Sequence, residues 1–191
     1  MKKIMIIVLM SLVWNLSAAS NWVEIPIKNA KFEKSTKNGK SFENWRLHEV
    51  DMIKIDNKNG VGIPKQKMTN GPSYSALKQF IFFDTKGKYK RYYIEVTYKT
   101  DNKLKDTKAK GNTTQPRILL IPISKNKKRL WPKGSEGASG KLMKSDTIKV
   151  FKYIMKGAGN EDGIEICFDS TNPDYRALIK EVKLFGELPA K

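Results

Sequence analysis

A tryptophan in a lysine-rich segment is well suited to hold a ligand. Trp131 lies within Lys125–Lys133, where a buried tryptophan is unexpected. Its flat ring offers a large apolar surface with one polar group, and such rings pack against the faces of sugar rings. Trp131 therefore either contacts a ligand or folds back as a lid on the core, since large aromatic side chains are highly buried on average.

Three strand-like segments supply the other candidates. Tyr93 and Glu95 alternate away from the apolar residues of their segment, so they either line an open sheet face or are packed beneath a cover. Glu165 has the same alternating position elsewhere, and Arg117 opens a further segment, where its forked donors can reach such a face. The expected ligand contacts are Trp131, Tyr93, Arg117, Glu95 and Glu165.

Catalytic chemistry has little support in the sequence. Glycosidases need two carboxylates at a fixed separation, and the sequence alone does not exclude Glu95 with Glu165. No nucleophile elbow, phosphate-binding loop or metal-binding motif is present. The single cysteine, Cys167, and the single histidine, His48, exclude an internal disulfide, a thiolate zinc cluster and a multi-histidine metal site. We predict that the protein is not an enzyme.

The first nineteen residues have the pattern of a secretory signal peptide. Lys2 and Lys3 precede an apolar run from Ile4 to Trp14, and the small residues Ser17 and Ala19 follow it. The run is shorter than the about 20 apolar residues that span a bilayer. We expect cleavage after Ala19, a secreted or periplasmic protein, and a mature chain of residues 20–191 without a transmembrane segment.

Lysine dominates a strongly basic composition. The 191 residues include 37 basic and 19 acidic side chains, and the net charge of +18 becomes +16 without Lys2 and Lys3. Three interpretations follow: attraction to an anionic polymer, binding of nucleic acid, or a solvated surface with no ligand. The export signal and the scarcity of arginine, which makes the commonest base-specific contacts, argue against nucleic acid.

Alternation of apolar and polar residues predicts strands throughout the mature chain. The pattern is clearest in Tyr92–Lys99 and Ile164–Phe168. Further strands are predicted at Val23–Ile27, Met52–Ile55, Leu77–Phe83, Arg117–Ile123, Thr147–Ile154 and Ile179–Gly186. Turn-forming residues separate these segments, and no helical periodicity interrupts them. The pattern predicts an all-β jelly-roll β-sandwich in a single domain.

Four segments in a fixed order carry a family resemblance. They are Asn29–Glu33 with the later Trp45, Gly71–Leu77, Tyr92–Lys99, and Asp162–Phe168 with Ala177–Leu184. In this order they resemble bacterial carbohydrate-binding modules with a galactose-binding-like jelly-roll fold, as in families 4, 9 and 22. The resemblance implies a non-catalytic protein that binds a polysaccharide, which the positive charge suggests is acidic.

The same resemblance implies a structural calcium ion. In many such modules an early glutamate, a late aspartate and main-chain carbonyls hold the ion, and Glu33 and Glu181 occupy matching positions here. Lys180 replaces an aspartate and would repel the ion. Glu33 and Glu181 are therefore either calcium ligands or ordinary surface charges.

A second functional interpretation stays open beside carbohydrate binding. The chain is also consistent with a structural or adhesion β-sandwich that binds a cell-envelope component or a protein partner. We expect a monomer, and we expect no nucleic-acid partner.

Overall fold

Two antiparallel β-sheets form the fold in a computed structural model. The structure describes residues 21–48, 50–63, 75–101, 116–131, 139–170 and 176–189. Its strands are β1 (Trp22–Ile25), β2 (Arg46–His48), β3 (Asp51–Ile55), β4 (Lys58–Ile63), β5 (Ser75–Phe82), β6 (Arg91–Asp101), β7 (Arg117–Ile123), β8 (Gly140–Lys141), β9 (Lys149–Lys156), β10 (Gly163–Ser170) and β11 (Arg176–Glu187). These described ranges contain no helix that is long and apolar enough to span a membrane.

Among the described strands, most that are neighbours along the chain belong to different sheets, and only β3 with β4 and β7 with β8 share one. The six-stranded sheet has the order β3-β4-β11-β6-β9, and β1 pairs with the C-terminal end of β11. The five-stranded sheet has the order β2-β5-β10-β7-β8. This arrangement confirms the predicted jelly-roll sandwich. The predicted signal peptide lies outside the described residues. The polar, lysine-rich segment Asp101–Gln115, which lacks a strand pattern and is predicted to be a loop within the domain, also lies outside them apart from Asp101.

Alternate residues of the central strands fill the core between the sheets. In β6 every second residue from Tyr92 to Tyr98 is buried, as the alternation predicts. From the opposite sheet, Ile164, Ile166 and Phe168 of β10 join the same cluster. Burying each large apolar side chain stabilises the fold by about 1.5–3 kcal/mol, so these positions tolerate little change.

An aromatic cluster closes one end of the core. Phe32 lies between Phe42 and Trp45, with ring centroids 5.3 and 5.2 Å apart. The indole nitrogen of Trp45 donates to the carbonyl oxygen of Asn29 at 3.1 Å. This hydrogen bond satisfies the polar group of a buried ring and fixes the N-terminal turn against the sandwich.

Strand β4 differs from the sequence prediction. The turn predicted over Asp56–Gly60 is limited to Asp56 and Asn57, whose φ angles are 50° and 64°. Asn59 and Gly60 instead lie in β4, which pairs with β3 and β11. A Cβ at Gly60 would come within 2.7 Å of the Ile179 carbonyl oxygen, so close strand packing requires glycine here.

Each sheet also presents an outer face. We call the outward residues of β2, β5, β10, β7 and β8, together with Lys127, Arg129 and Trp131 of the loop that follows β7, the front face. We call the outward residues of β1, β11, β6 and β9 the back face. Paired strands place directly opposite residues on the same face, which assigns every outward side chain.

Candidate functional site

The five predicted ligand contacts lie on two different faces. Arg117 and Glu165 point outward from β7 and β10, and Trp131 packs beside them on the front face. Tyr93 and Glu95 point outward from β6 on the back face. Stacked sheets lie about 10 Å apart, with the core between them. The predicted set therefore does not form one groove.

This division also excludes the catalytic pair that the sequence left open. Glu95 and Glu165 extend from opposite sides of the sandwich, away from each other. Glycosidase carboxylates flank one scissile bond at separations of about 5–9.5 Å. Glu95 and Glu165 cannot meet across a single cleft.

An apolar floor lies at the centre of the front face. Leu119, Ile121 and Ile123 of β7 form a buried cluster with Cys167 of β10, and Phe80 and Trp131 pack on it. The chain turns after β7 and returns, so that Arg129 bridges to Ile123. Trp131 therefore folds back, but onto the outer side of the sheet and not into the core between the sheets. It remains partly exposed.

Two carboxylates on this face are held by forked guanidinium groups. Arg129 donates to both oxygens of Glu165 at 3.1 and 3.0 Å, and Lys78 lies 3.6 Å from the same carboxylate. Arg117 donates to both oxygens of Asp169 at 2.6 and 3.2 Å. Paired hydrogen bonds of this kind hold both partners in fixed orientations.

Phe80 lines a cleft beside β5. The ring points outward from β5 and lines a cleft of about 590 Å³, together with Phe82, Lys28 and Asn44. This volume lies within the range of small-molecule sites. β2 pairs only with residues 76–78 of β5, so the edge of β5 beside the cleft has no strand partner among the described residues.

The front face has an excess of positive charge. Its outward strand positions, with the two loop residues that contact them, hold six cations and two carboxylates: Arg46, Lys78, Arg117, Lys127, Arg129 and Lys141 against Glu165 and Asp169. Within the described part of the chain, Arg46, Lys127 and Lys141 make no ion pair. Part of this positive charge is therefore available to an anionic ligand.

Comparison with known proteins bears on the fold. No protein-family model matches the chain, and no curated protein matches it. The tandem family 22 carbohydrate-binding modules of Paenibacillus barcinonensis match 92% of this chain and 49% of theirs, at 12% identity and a TM-score of 0.52. The chain has the jelly-roll fold of these carbohydrate-binding modules, which confirms the resemblance.

Two larger structures contain the same fold. The family 22 module and catalytic module of a Clostridium thermocellum endo-1,4-beta-D-xylanase, complexed with xylohexaose, match at 10% identity and a TM-score of 0.51. The enzymatically active domain of bacteriophage CBA120 tailspike protein 4 matches at 11% identity and a TM-score of 0.51. Each alignment covers 85% of this chain but only 28% and 21% of the respective structure.

The back face carries a different aromatic group. Tyr93 lies between Trp22 and Phe185, with ring centroids 5.9 and 5.5 Å apart. Its hydroxyl donates to Glu95 at 2.6 Å, and Lys152 lies 3.3 Å from the same carboxylate. These two partners, Tyr93 first, hold the pKa of Glu95 below its usual value. Burial, followed by the bond to Glu95, raises the pKa of Tyr93.

Charges on the back face nearly balance. The outward positions hold six cations and five carboxylates, which are Arg91, Lys99, Lys152, Lys156, Arg176 and Lys183 against Glu24, Glu95, Asp101, Glu181 and Glu187. Lys180, at the register shift of β11, pairs with Asp56. Arg91 pairs with Glu187, Lys152 with Glu95, and Arg176 with Asp101. The back face therefore has aromatic side chains with a smaller excess of positive charge than the front face.

The predicted calcium ligands lie together at the junction of the N-terminal turn with β4 and β11. Glu33 and Glu181 line one cavity of about 380 Å³. The same cavity is lined by four lysines, Lys31, Lys54, Lys58 and Lys180. Lys31 lies 3.8 Å from Glu181, and Lys180 lies 3.3 Å from Asp56.

These side chains do not fit a calcium ion. Calcium needs six to eight oxygen ligands, including main-chain carbonyls. Here the side-chain amide of Asn59 donates to the carbonyl oxygens of Phe32 and Glu33 at 2.9 and 3.4 Å. Among the described residues, no group of three or more acidic, histidine or cysteine side chains is placed to hold a metal. Calcium binding stays an untested prediction.

Several front-face residues lacked a sequence signal. Phe80 lies in a predicted strand with aromatic residues at both parities, so alternation did not reveal its outward position. Arg46 lies in β2, a strand of three residues. Lys127 and Arg129 belong to the lysine-rich segment around Trp131, whose charge was evident in the sequence but whose return over the sheet was not.

Proposed function

We propose that this chain is a non-catalytic module that binds an acidic polysaccharide on its front face. The observation that carries the proposal is the combination, on one face, of three exposed or partly exposed aromatic rings, Phe80, Phe82 and Trp131, with six cations and two carboxylates. Phe80 and Trp131 supply apolar surface for sugar rings. Guanidinium and ammonium groups pair with carboxylate or sulfate groups on the polymer.

Charge selects the class of polysaccharide in this proposal. The cations Arg46, Lys127 and Lys141 have no carboxylate partner within the described residues, so an anionic polymer gains contacts that a neutral one does not. The mature charge of +16, without Lys2 and Lys3, would also raise the association rate with such a polymer. The predicted signal peptide supports a location where extracellular polysaccharides are present.

Affinity electrophoresis tests the proposal. The mature protein is run through native gels that contain polygalacturonate, alginate, or a neutral polymer such as unsubstituted xylan, in low-salt buffer. We expect retardation by at least one acidic polymer, with retardation that decreases as salt is added, because exposed charges are screened beyond about 8 Å at physiological ionic strength. Unchanged migration with every polymer at low salt would contradict the proposal.

A pair of variants tests which face binds the polysaccharide. Lys127 lies 5.3 Å from the Phe80 ring on the front face, and Lys152 lies 5.8 Å from the Tyr93 ring on the back face. Lys127→Gln and Lys152→Gln each remove one positive charge beside an aromatic ring, and they differ in that Lys152 also pairs with Glu95. We expect weaker retardation for the first variant alone.

An interaction with a protein partner is the second candidate function. Val150 and Ile154 of β9 are 53% and 54% exposed, on a strand at the edge of the six-stranded sheet. Exposed edge strands pair with extended segments of other chains. Recovery of a protein partner in a pull-down, lost in Val150→Lys and combined with no polysaccharide binding, would favour this function over the first.

A further inference from the structure

The Phe80 ring is covered by two cations from separate parts of the fold. The guanidinium carbon of Arg46 lies 5.0 Å from the ring centroid, and the Lys127 ammonium lies 5.3 Å from it. Arg46 belongs to β2 on one flank of β5. Lys127 belongs to the loop after β7, beyond β10 on the other flank. Both contacts are within the range of cation–π attraction.

Lys127 occupies a backbone position that does not favour lysine. Its φ angle is 62°, in the left-handed region that glycine and asparagine adopt most readily. The turn itself is fixed by main-chain bonds, from Lys127 N to Ser124 O at 2.8 Å and from Ser124 N to Lys128 O at 2.9 Å. Turn geometry therefore does not account for a lysine at residue 127. The contact of its ammonium group with the Phe80 ring does account for it.

We propose that Arg46 and Lys127 make the front face selective for acidic sugars by covering the Phe80 ring. The inference rests on the proposed function and names the residues that set its specificity. A neutral sugar that stacks on Phe80 displaces a cation and offers it no anionic partner. A sugar that bears a carboxylate stacks on the same ring and pairs with the displaced cation. The two residues therefore weaken neutral binding and strengthen acidic binding.

This arrangement predicts that one double variant changes the affinities for neutral and acidic oligosaccharides in opposite directions. Exposed cation–π contacts are worth about 0.5–1 kcal/mol, which is roughly a twofold to fivefold change in affinity. The double variant Arg46→Gln with Lys127→Asn should bind neutral oligosaccharides about twofold to fivefold more tightly. It should bind acidic oligosaccharides at least fivefold more weakly, because both charge partners are lost. Asparagine suits the backbone at residue 127, which offsets part of the stability lost with the two ring contacts.

Titration calorimetry with a matched pair of ligands tests the proposal. The ligands are an oligogalacturonate and the neutral oligosaccharide made from it by reduction of its carboxyl groups. Wild type, the double variant and the back-face control Lys152→Gln are compared, with thermal unfolding of each. Opposite changes in the two affinities for the double variant alone support the proposal.

The failures of the two proposals differ in this experiment. If the wild type binds both oligosaccharides and the double variant lowers both affinities, or changes neither, the covering role of Arg46 and Lys127 is wrong while polysaccharide binding stands. If the wild type binds neither oligosaccharide and is not retarded by any polymer, the proposed function is wrong and this inference with it.

Discussion

The two outer faces of the sandwich carry similar side-chain types but differ in charge balance. Each face has aromatic rings with cations over them. In front, Arg46 and Lys127 lie over Phe80, and behind, Lys152 lies over Tyr93 and Arg91 over Trp22. On the back face the aromatic rings contact one another edge-on or at a tilt, and six cations meet five carboxylates. On the front face six cations meet two carboxylates. An aromatic side chain on a sheet is therefore a weak indicator of a site, and the uncompensated charge beside it is the better one.

Removing the uncompensated charges should have the largest effect. The triple variant of Arg46, Lys127 and Lys141 to glutamine should bind an acidic polysaccharide roughly tenfold more weakly, at about 0.2–1 kcal/mol for each exposed charge pair. The matched back-face triple variant of Lys152, Lys156 and Lys183 to glutamine carries the same charge change. Affinity measured for both at one salt concentration checks the comparison, and equal losses would show that only net charge matters.

Neutralising one carboxylate on each face should lower the free energy of unfolding more on the front face than on the back face. Glu165 is 4% exposed and accepts two hydrogen bonds from Arg129, so Glu165→Gln should lower the free energy of unfolding by about 1–2 kcal/mol. Glu95 is 24% exposed, so Glu95→Gln should change it by less than about 0.5 kcal/mol. Urea unfolding of both variants gives these values, and a larger loss for Glu95→Gln would reverse the assignment.

Calcium removal should affect neither face. The cavity in which the family resemblance predicts calcium is lined by Lys31, Lys54, Lys58 and Lys180. The side-chain amide of Asn59 donates to the main-chain carbonyl oxygens of Phe32 and Glu33 beside it. We expect EDTA or added calcium to leave the melting temperature and polysaccharide binding unchanged. Asn59→Ala should instead lower the free energy of unfolding by about 1 kcal/mol through the lost hydrogen bonds. A melting temperature that falls with EDTA would establish a calcium site.

The smallest effect should be a pH dependence confined to the back face. The Tyr93 hydroxyl donates to Glu95 and holds the pKa of that carboxyl below its ordinary value of about 4.3. A lowered pKa in the folded state stabilises the protein above the ordinary pKa, and the benefit is lost as pH falls through the lowered value. In Tyr93→Phe the pKa of Glu95 should rise, as an NMR titration of its side-chain carboxyl would report. An unchanged value would mean that Lys152 alone sets it.

Most of the fold could be predicted from the sequence because alternation reflects burial. The predicted segments Tyr92–Lys99, Arg117–Ile123 and Ile164–Phe168 all lie in strands, and the first and the last bury the apolar residues that the alternation predicts. Strand β4 could not be predicted, since Asn59 and Gly60 favour turns locally and only pairing with β3 and β11 makes them a strand.

The candidate site was harder to predict than the fold. Alternation shows that Tyr93 and Glu165 point away from the core, but it does not show that they belong to different sheets. That distinction depends on strand order, which comes from long-range pairing of β10 with β5 and β7 and of β6 with β9 and β11. Trp131 is a candidate from the sequence alone and stays an untested prediction, whereas Phe80 and Arg46 join the same face only through the folded sheet.

The most direct test of the account is a map of ligand contacts by NMR. Isotope-labelled mature protein is titrated with an oligogalacturonate, and backbone amide shifts are followed across both sheets. The account predicts that the large shifts cluster at β2, β5, β10 and the 124–131 loop, around Phe80, Lys127 and Trp131. Large shifts on β1, β6, β9 and β11 around Tyr93, with none on the front face, would contradict it.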